Sequence, residues 1–349
     1  MWEEAKRLLT KAHLGISQWR GSKIPVALVN KNWSDGSKCA YGVTASGGEF
    51  TPGGTYPGNY GYPIKETIDY YASIGMKIIR FPFLWERVQP EPMKDFNEVE
   101  MALIDPMIDY IISKGLVVGI DPHNGGKGYG HIIGNKGCPD IWFADLWNKL
   151  ANRYKHYGDK VIFMIMSEPS EQCEYQWLKS TNAAISAIRS TGAVQTVVVP
   201  GTHFDGGWLW TITCNAQVMS KVKDPLNNYM FEVHQYLDEN GSGGSTGIVR
   251  KTIGADRLHQ VTLWARKNGY KMFLGEFGTS YDETSLEALD WMLRYIELNS
   301  DVWKYACWWG AGDRWMNYFM SIEPVDYNNP EDAPQATLIR KAINGEYTL

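Results

Sequence analysis

The sequence predicts an α/β protein of the (β/α)8 barrel class. Short apolar, β-prone runs alternate with amphipathic helical stretches along most of the chain. Polar or aromatic residues recur at the ends of those runs, about one βα unit apart. No low-complexity segment or linker separates two compositions. Runs that are apolar on both faces read as parallel strands shielded by helices. A chain of 349 residues could hold two domains, but a single barrel with loop insertions is commonly this long.

Taken in order, strands are expected at Tyr41–Ala45, Met76–Phe83, Leu116–Asp121, Val161–Ser167, Gln195–Pro200, Tyr229–His234, Lys271–Glu276 and Lys304–Trp309. The first is the weakest of the eight. Helical periodicity falls near Ile64–Ile74, Val99–Lys114, Ile141–Tyr157, Gln176–Thr191, Arg250–Lys267 and Ser285–Asn299. The stretch from Phe204 to Val222 is poorly periodic, so its helix is weakly specified. The run Asp238-Glu-Asn-Gly-Ser-Gly-Gly-Ser-Thr-Gly247 reads as a mobile surface loop. Residues 1–38 precede the pattern and are expected to pack on the barrel as an extension, with 39–349 forming one domain. Within the extension, Trp33-Ser-Asp-Gly-Ser37 reads as a turn, fitting a small hairpin that closes the lower end.

Composition narrows the function. The formal net charge is −5 and no basic run stands out, which argues against nucleic acid as a partner. No apolar run reaches the roughly 18 residues of a membrane helix. The first ten residues carry acids and lack a continuous apolar core, so they are not expected to be a signal peptide. Secretion is still the expected destination, with any leader already removed. The chain holds 15 Trp, 20 Tyr and 11 Phe. Core packing must account for most of these rings, and some are expected to line a sugar-binding cleft, where a flat apolar face meets sugar C–H groups. Cysteines stand at 39, 138, 173, 214 and 307 without CxxC or zinc-ligand spacing. Cys173 and Cys214 follow two strand ends on one barrel face. Pairing between them is left open.

Two glutamates carry the chemical reading. Glu168 ends the run Val161-Ile-Phe-Met-Ile-Met-Ser-Glu168, and Glu276 ends Met272-Phe-Leu-Gly-Glu276. A carboxylate at the mouth of a buried strand loses hydration, and folding alone gives little reason to put it there. Paired carboxylates can serve as proton donor and nucleophile in acetal chemistry. The acid must stay protonated until it meets the leaving oxygen. The nucleophile must be ionised, which calls for donors or positive charge nearby. Arg80 and Tyr236 are the expected partners of Glu276. His123 and His234 stand at two further strand ends and are expected to bind substrate hydroxyls and tune the glutamates. Trp309 is expected to floor the cleft, with Trp308 turned to the outer layer.

These segments resemble glycoside hydrolase family 5, in its fungal and bacterial endoglucanase branch. The resemblance rests on Gly47-Gly-Glu-Phe50 with Tyr56-Pro-Gly-Asn-Tyr-Gly-Tyr-Pro63, on Ile79-Arg-Phe-Pro-Phe-Leu-Trp-Glu-Arg-Val88, on Asp121-Pro-His-Asn124 and on Leu274-Gly-Glu-Phe-Gly278. Trp309-Gly-Ala-Gly312 through Met320-Ser-Ile-Glu-Pro324 extends it, so that it covers about residues 40–325 in order. The resemblance implies a TIM barrel and retaining hydrolysis of β-glycosidic bonds without metal; no cofactor is expected, and the chain is expected to act as a monomer on a β-glucan. It implies Glu168 as acid/base and Glu276 as nucleophile. Arg80, His123, Asn124, His234, Tyr236 and Trp309 fall on supporting or substrate-binding positions.

One departure matters. The family's Asn-Glu-Pro is here Ser167-Glu-Pro169, and the missing amide would contact the sugar 2-hydroxyl. A second is the loop Gly125-Gly-Lys-Gly-Tyr-Gly130, which lacks the pattern of a phosphate cradle and is expected to shape a substrate groove. The leading expectation is an endo-β-1,4-glucanase. Its alternatives are a hydrolase of mannan, xyloglucan or mixed-linkage glucan, and a carbohydrate-binding protein that has lost turnover.

Overall fold

The computed structural model describes residues 32–315 and 317–347. In chain order the elements are β1 (Ala40–Ala45), α1 (Lys65–Ser73), β2 (Ile78–Phe83), the short α2 (Trp85–Val88), α3 (Glu98–Ser113) and β3 (Val117–Pro122). A small hairpin of β4 (Lys127–Gly128) and β5 (His131–Ile132) follows, then α4 (Asp140–Tyr154), β6 (Val161–Met164), α5 (Glu174–Ser190) and β7 (Val197–Pro200). The chain continues through the one-turn α6 (Asn215–Val218), β8 (Tyr229–His234), α7 (Ile253–Asn268), β9 (Met272–Phe277), α8 (Glu283–Leu298), β10 (Trp303–Ala311) and α9 (Pro334–Asn344).

Eight of these strands close a barrel in the order β1-β10-β9-β8-β7-β6-β3-β2. Every pairing in the ring is parallel. All eight strand ends therefore face the same way, which places the loops that follow them together at one rim. The fold is the (β/α)8 barrel that the sequence pattern predicts.

Two apolar layers hold it. Inside the barrel, Ile78, Ile162, Met164, Val198, Met230, Phe273 and Cys307 form a plug. Gly119 makes room for it, since a Cβ there would lie 2.7 Å from Met164 Sδ. The second layer fills the space between strands and helices. Trp85, Trp147, Trp177, Trp210, Trp303 and Trp308 are all fully buried. Several find a partner for the indole N–H, as a buried tryptophan needs. Trp147 donates to the Ile165 carbonyl at 3.0 Å, Trp177 to Pro200 at 2.9 Å and Trp308 to Met320 at 2.8 Å. Helix ends follow ordinary chemistry. Asp282 caps α8 by accepting the Ser285 N–H at 3.1 Å. Gly269 ends α7 at φ 74°, a left-handed backbone that glycine adopts without Cβ strain.

The structure departs from the sequence reading in four places. The fourth strand stops at Met164, short of Ser167, because the next residues curl across the rim and the Ser167 N–H turns to the Pro122 carbonyl at 3.1 Å. The poorly periodic stretch after β7 holds only one-turn helices. Helix α9 went unread, although Pro334 at its start and Gly345 after its end frame it, and Ala336, Ile339 and Ala342 bury one face. Residues 32–38 contain turns and no strand, so the expected hairpin is absent from them. Side chains close those turns, with Asn32 and Asp35 accepting the N–H groups of Ser34 and Ser37. The segment still lies at the lower end, where Ser37 meets Ser300 and Lys304 near the start of β10. Residues 1–31 of the expected extension lie outside the described residues. The cysteine pairing that the sequence left open is not formed, and all five cysteines are free thiols. Cys39, Cys138 and Cys307 are buried, and Cys173 and Cys214 are exposed at the starts of α5 and α6 without bridging.

Trp177→Ala tests the outer layer. Removing a fully buried ring and its hydrogen bond is expected to destabilise the fold by about 3–5 kcal/mol, read as a lower midpoint in urea unfolding.

Candidate active site

The plug of the barrel ends beneath a buried guanidinium. Arg80, on β2, has no solvent exposure. Its Nη1 donates to Glu276 Oε1 at 2.5 Å and to the Gly275 carbonyl at 3.3 Å. Its Nε lies 2.9 Å from Asp121 and its Nη2 lies 3.3 Å from Glu232, both as ion pairs. Four strands thus send one charged group each to a common point.

Glu276 is gripped on both oxygens. Tyr236 donates to Oε2 at 2.7 Å, opposite the Arg80 contact to Oε1. His234 Nδ1 stands 3.5 Å from Oε2 and His123 Nε2 stands 3.9 Å from Oε1. Burial would raise the pKa of this carboxyl. The charges of His234, Arg80 and His123, with the Tyr236 hydrogen bond, outweigh burial and lower it to about 2. Glu276 is therefore an ionised carboxylate in a dry site.

Each histidine has an acidic brace two residues before it on the same strand face. His123 Nδ1 sits 3.0 Å from Asp121, and His234 Nε2 sits 3.2 Å from Glu232. Burial opposes protonation of both rings, but Asp121 and Glu276 raise the pKa of His123, and Glu276, Glu168 and Glu232 raise that of His234 well above its ordinary value. As an imidazolium, His234 donates from both nitrogens, to Glu232 and, from Nδ1, to Glu168 Oε1 at 2.8 Å.

Glu168 completes the group. Its side chain is 32% exposed, against 4% for Glu276. One oxygen of Glu168, one nitrogen of His234 and one oxygen of Glu276 lie within 4.8 Å of one another. Chemically, the arrangement couples an ionised, oriented carboxylate to a partly exposed carboxyl. The same three atoms have the spacing to hold a metal ion, the one such set found among the described residues. Arg80 and Tyr236 already engage both oxygens of Glu276, and a protonated His234 has no free lone pair to offer a metal.

The family profile described as "Cellulase (glycosyl hydrolase family 5)" matches residues 41–312. The chain belongs to glycoside hydrolase family 5. Among the family's curated members it is 35% identical over 291 residues to a probable endo-β-1,4-glucanase B of Neosartorya fischeri, covering 81% of this chain and 86% of that protein. It is also 35% identical over 299 residues to endo-β-1,4-glucanase A of Emericella nidulans, covering 84% and 89%. The crystal structure of the endo-β-1,4-glucanase Xac0029 from Xanthomonas axonopodis pv. citri superposes with a TM-score of 0.85 at 37% identity, over 89% of this chain and all of that one. A structure of XacCel5A in complex with cellopentaose gives 0.84 at 37% identity, over 87% and 98%.

Within this family 5 barrel the structure brings together Arg80, His123, Ser167, Glu168, His234, Tyr236, Glu276 and Trp309. Trp309 stacks on His123 with ring centroids 5.6 Å apart. Trp308 faces the outer layer, where it packs edge-on against Phe277. Ser167 is fully buried, its Oγ 3.5 Å from His123 Nε2. Asn124 is the one expected site residue whose amide serves elsewhere. It accepts the Trp85 N–H at 2.8 Å and donates to Glu86 at 2.7 Å, tying the loop after β3 to the loop after β2. The Gly-rich loop becomes the β4–β5 hairpin, and Lys127 within it pairs with Glu171 at 2.5 Å.

Sequence reasoning missed four members of the site. Asp121 and Glu232 brace the histidines, and the alternation 121, 123 and 232, 234, 236 was the signal for them. Trp315 lies 5.5 Å from Trp309 and 5.0 Å from Phe50, extending the aromatic wall. Asp205 carried no strand-end signal, because it follows β7 by five residues.

Backbone strain gathers at this rim. Glu168 has φ 49°, and His203, Phe204 and Asp205 have φ 61°, 57° and 54°. Left-handed backbone costs a residue with a Cβ roughly 1–2 kcal/mol, so the surrounding packing must hold these conformations in place.

Tyr236→Phe tests the electrostatics. Losing a donor to Glu276 raises that carboxyl's pKa, so the acid limb of kcat/KM should move to higher pH. A hydrogen bond to a charged group contributes about 1.5–3 kcal/mol. The plateau of kcat/KM should therefore fall by roughly 10- to 150-fold, measured as pH–rate profiles of the two proteins.

Proposed function

We propose that this chain is a retaining endo-β-1,4-glucanase. The observation that carries this reading is the spacing of the two glutamates. Their nearer oxygens lie within 4.8 Å, close to the roughly 5–5.5 Å of retaining enzymes and well short of the roughly 6.5–9.5 Å that leaves room for an inverting water. In this reading Glu168 protonates the glycosidic oxygen while Glu276 attacks the anomeric carbon and forms a glycosyl ester. Glu168 then takes a proton from water, which attacks the same carbon and releases the sugar. Arg80, Tyr236 and the two histidines keep Glu276 ionised and aimed. His234 also orients Glu168.

The substrate class follows from three supports. Relatives are named endo-β-1,4-glucanases. A solved neighbour carries cellopentaose. The wall of Phe50, Trp315, Trp309 and His123 offers flat ring faces along the cleft, suited to stacking on sugar rings. A polymeric glucan is met outside the cell, so we place the enzyme's action there.

Two measurements test the reading. Glu276→Ala should fold normally and release no reducing ends from soluble β-glucans, and normal turnover by that folded variant would remove Glu276 as nucleophile. Ser167→Asn restores the amide that the family places before the acid. It should raise kcat/KM on β-1,4-glucan above that of the parent. An unchanged or lower value would mean that the buried pocket beside His123 has adapted to serine. A panel of glucan, mannan, xyloglucan and mixed-linkage glucan names the backbone that is cut.

A further inference from the structure

Asp205 is a buried acid that the mechanism above does not use. It has no solvent exposure. Its Oδ2 accepts the backbone N–H of Glu168 at 3.0 Å. Its own carbonyl accepts the backbone N–H of His234 at 2.8 Å. Oδ2 also approaches His234 Nε2, at 4.0 Å. The next residue, Gly206, bridges to His234 in parallel fashion. One residue thus touches the main chain on both sides of the Glu168–His234 hydrogen bond.

The chain goes to some length to put it there. Three consecutive residues with side chains, His203, Phe204 and Asp205, hold left-handed backbone. The turn is pinned by the Phe204 N–H to the Pro169 carbonyl at 3.3 Å and by the Gly206 N–H to the His203 carbonyl at 3.2 Å. Phe204 is 60% exposed, so burial of that ring does not explain the turn. The turn's result is a carboxyl pointing inward beneath Glu168. Its other oxygen, Oδ1, is buried without a hydrogen-bond partner.

We propose that Asp205 is a positioning residue for the acid/base glutamate. Glu168 itself has φ 49°, and the direction of its carboxyl depends on that backbone. An acceptor fixed beneath its N–H holds the conformation and so keeps the carboxyl on His234 and near Glu276. Asp205 exchanges no proton in this role. The glycosidic C–O bond breaks, its electron pair goes to the leaving oxygen, and the proton on that oxygen comes from Glu168. Burial pushes the Asp205 carboxyl up, His234 opposing and Glu232 and Glu168 adding to it, so a neutral acceptor is the form that serves. An asparagine can supply the same acceptor. The inference rests on Glu168 being the acid/base.

The test uses leaving groups. Wild type, Asp205→Ala, Asp205→Asn and Glu168→Ala are compared on a soluble β-1,4-glucan and on 2,4-dinitrophenyl β-cellobioside, whose phenolate departs without protonation. General acid catalysis contributes roughly 10²- to 10⁴-fold, and misaligning the acid should forfeit part of it. Asp205→Ala is expected to lose about 10- to 100-fold in kcat/KM on glucan and under about 3-fold on the aryl substrate. Asp205→Asn should stay within about 3-fold of wild type on both. Equal losses on the two substrates, wild-type activity of Asp205→Ala on glucan, or an Asn variant as impaired as the Ala variant would overturn the inference. If Asp205→Ala does not fold, Asp205→Ser makes the same comparison, because its hydroxyl falls short of the Glu168 N–H. Glu168→Ala separates the two levels. Absence of leaving-group dependence in that variant would overturn the acid/base assignment and this inference with it. Its presence there without a counterpart at Asp205 would overturn this inference alone.

Discussion

A single guanidinium sets the terms for the rest of the molecule. Arg80 is buried with no exposure and meets Asp121, Glu232 and Glu276 from three other strands. Taking a charge out of water costs several kcal/mol per ion, and only close, well-placed partners recover it. The barrel meets that demand because its parallel strands deliver their ends to one ring. The apolar plug below excludes water, which strengthens each of these interactions. Removing Arg80 would strand three carboxylates, so the group that orients Glu276 is also a structural keystone of the upper barrel.

The two glutamates are chemically alike and are distinguished by their surroundings. Glu276 is dry, held by a cation and a phenol, and ionised. Glu168 opens to the cleft and rests on one imidazolium. Protonated His234 touches both and carries a charge that Glu276, Glu168 and its Glu232 brace together sustain. Division of labour between identical side chains then needs no difference beyond solvent access and neighbouring charge.

Much of this was legible in the sequence. Eight apolar runs gave eight strands, because a strand buried on both faces leaves a compositional trace. The strand-end residues Arg80, His123, Glu168, His234, Tyr236, Glu276 and Trp309 converge because barrel closure brings strand ends together whatever the loops do. The rest depended on information that a linear pattern does not carry. Asn124 sits in a site motif, yet its amide is consumed by Trp85 and Glu86, and only the fold of two loops reveals that. Asp205 is invisible from periodicity, because left-handed backbone at three ordinary residues turns it inward. Helix α9 lies beyond the last strand, where the alternating pattern gave no reason to look. The aromatic excess divided as composition alone could not: Trp85, Trp147, Trp177, Trp210, Trp303 and Trp308 are core, while Trp309 and Trp315 wall the cleft.

Gly275, the residue before Glu276, has an ordinary backbone and so has no conformational need to be glycine. A Cβ there would fall 1.9 Å from Glu232 Oε1. The position is vacant of side chain so that the carboxylate supporting His234 can lie against strand β9. One of the four residues of the Leu-Gly-Glu-Phe signature is therefore a reservation of space on behalf of another strand. An alanine there would force the Glu232 side chain to move, and with it the contacts that carboxylate makes to Arg80 and His234. A retained pair of positions far apart in the chain, one minimal and one acidic, is the evolutionary footprint that this contact should leave.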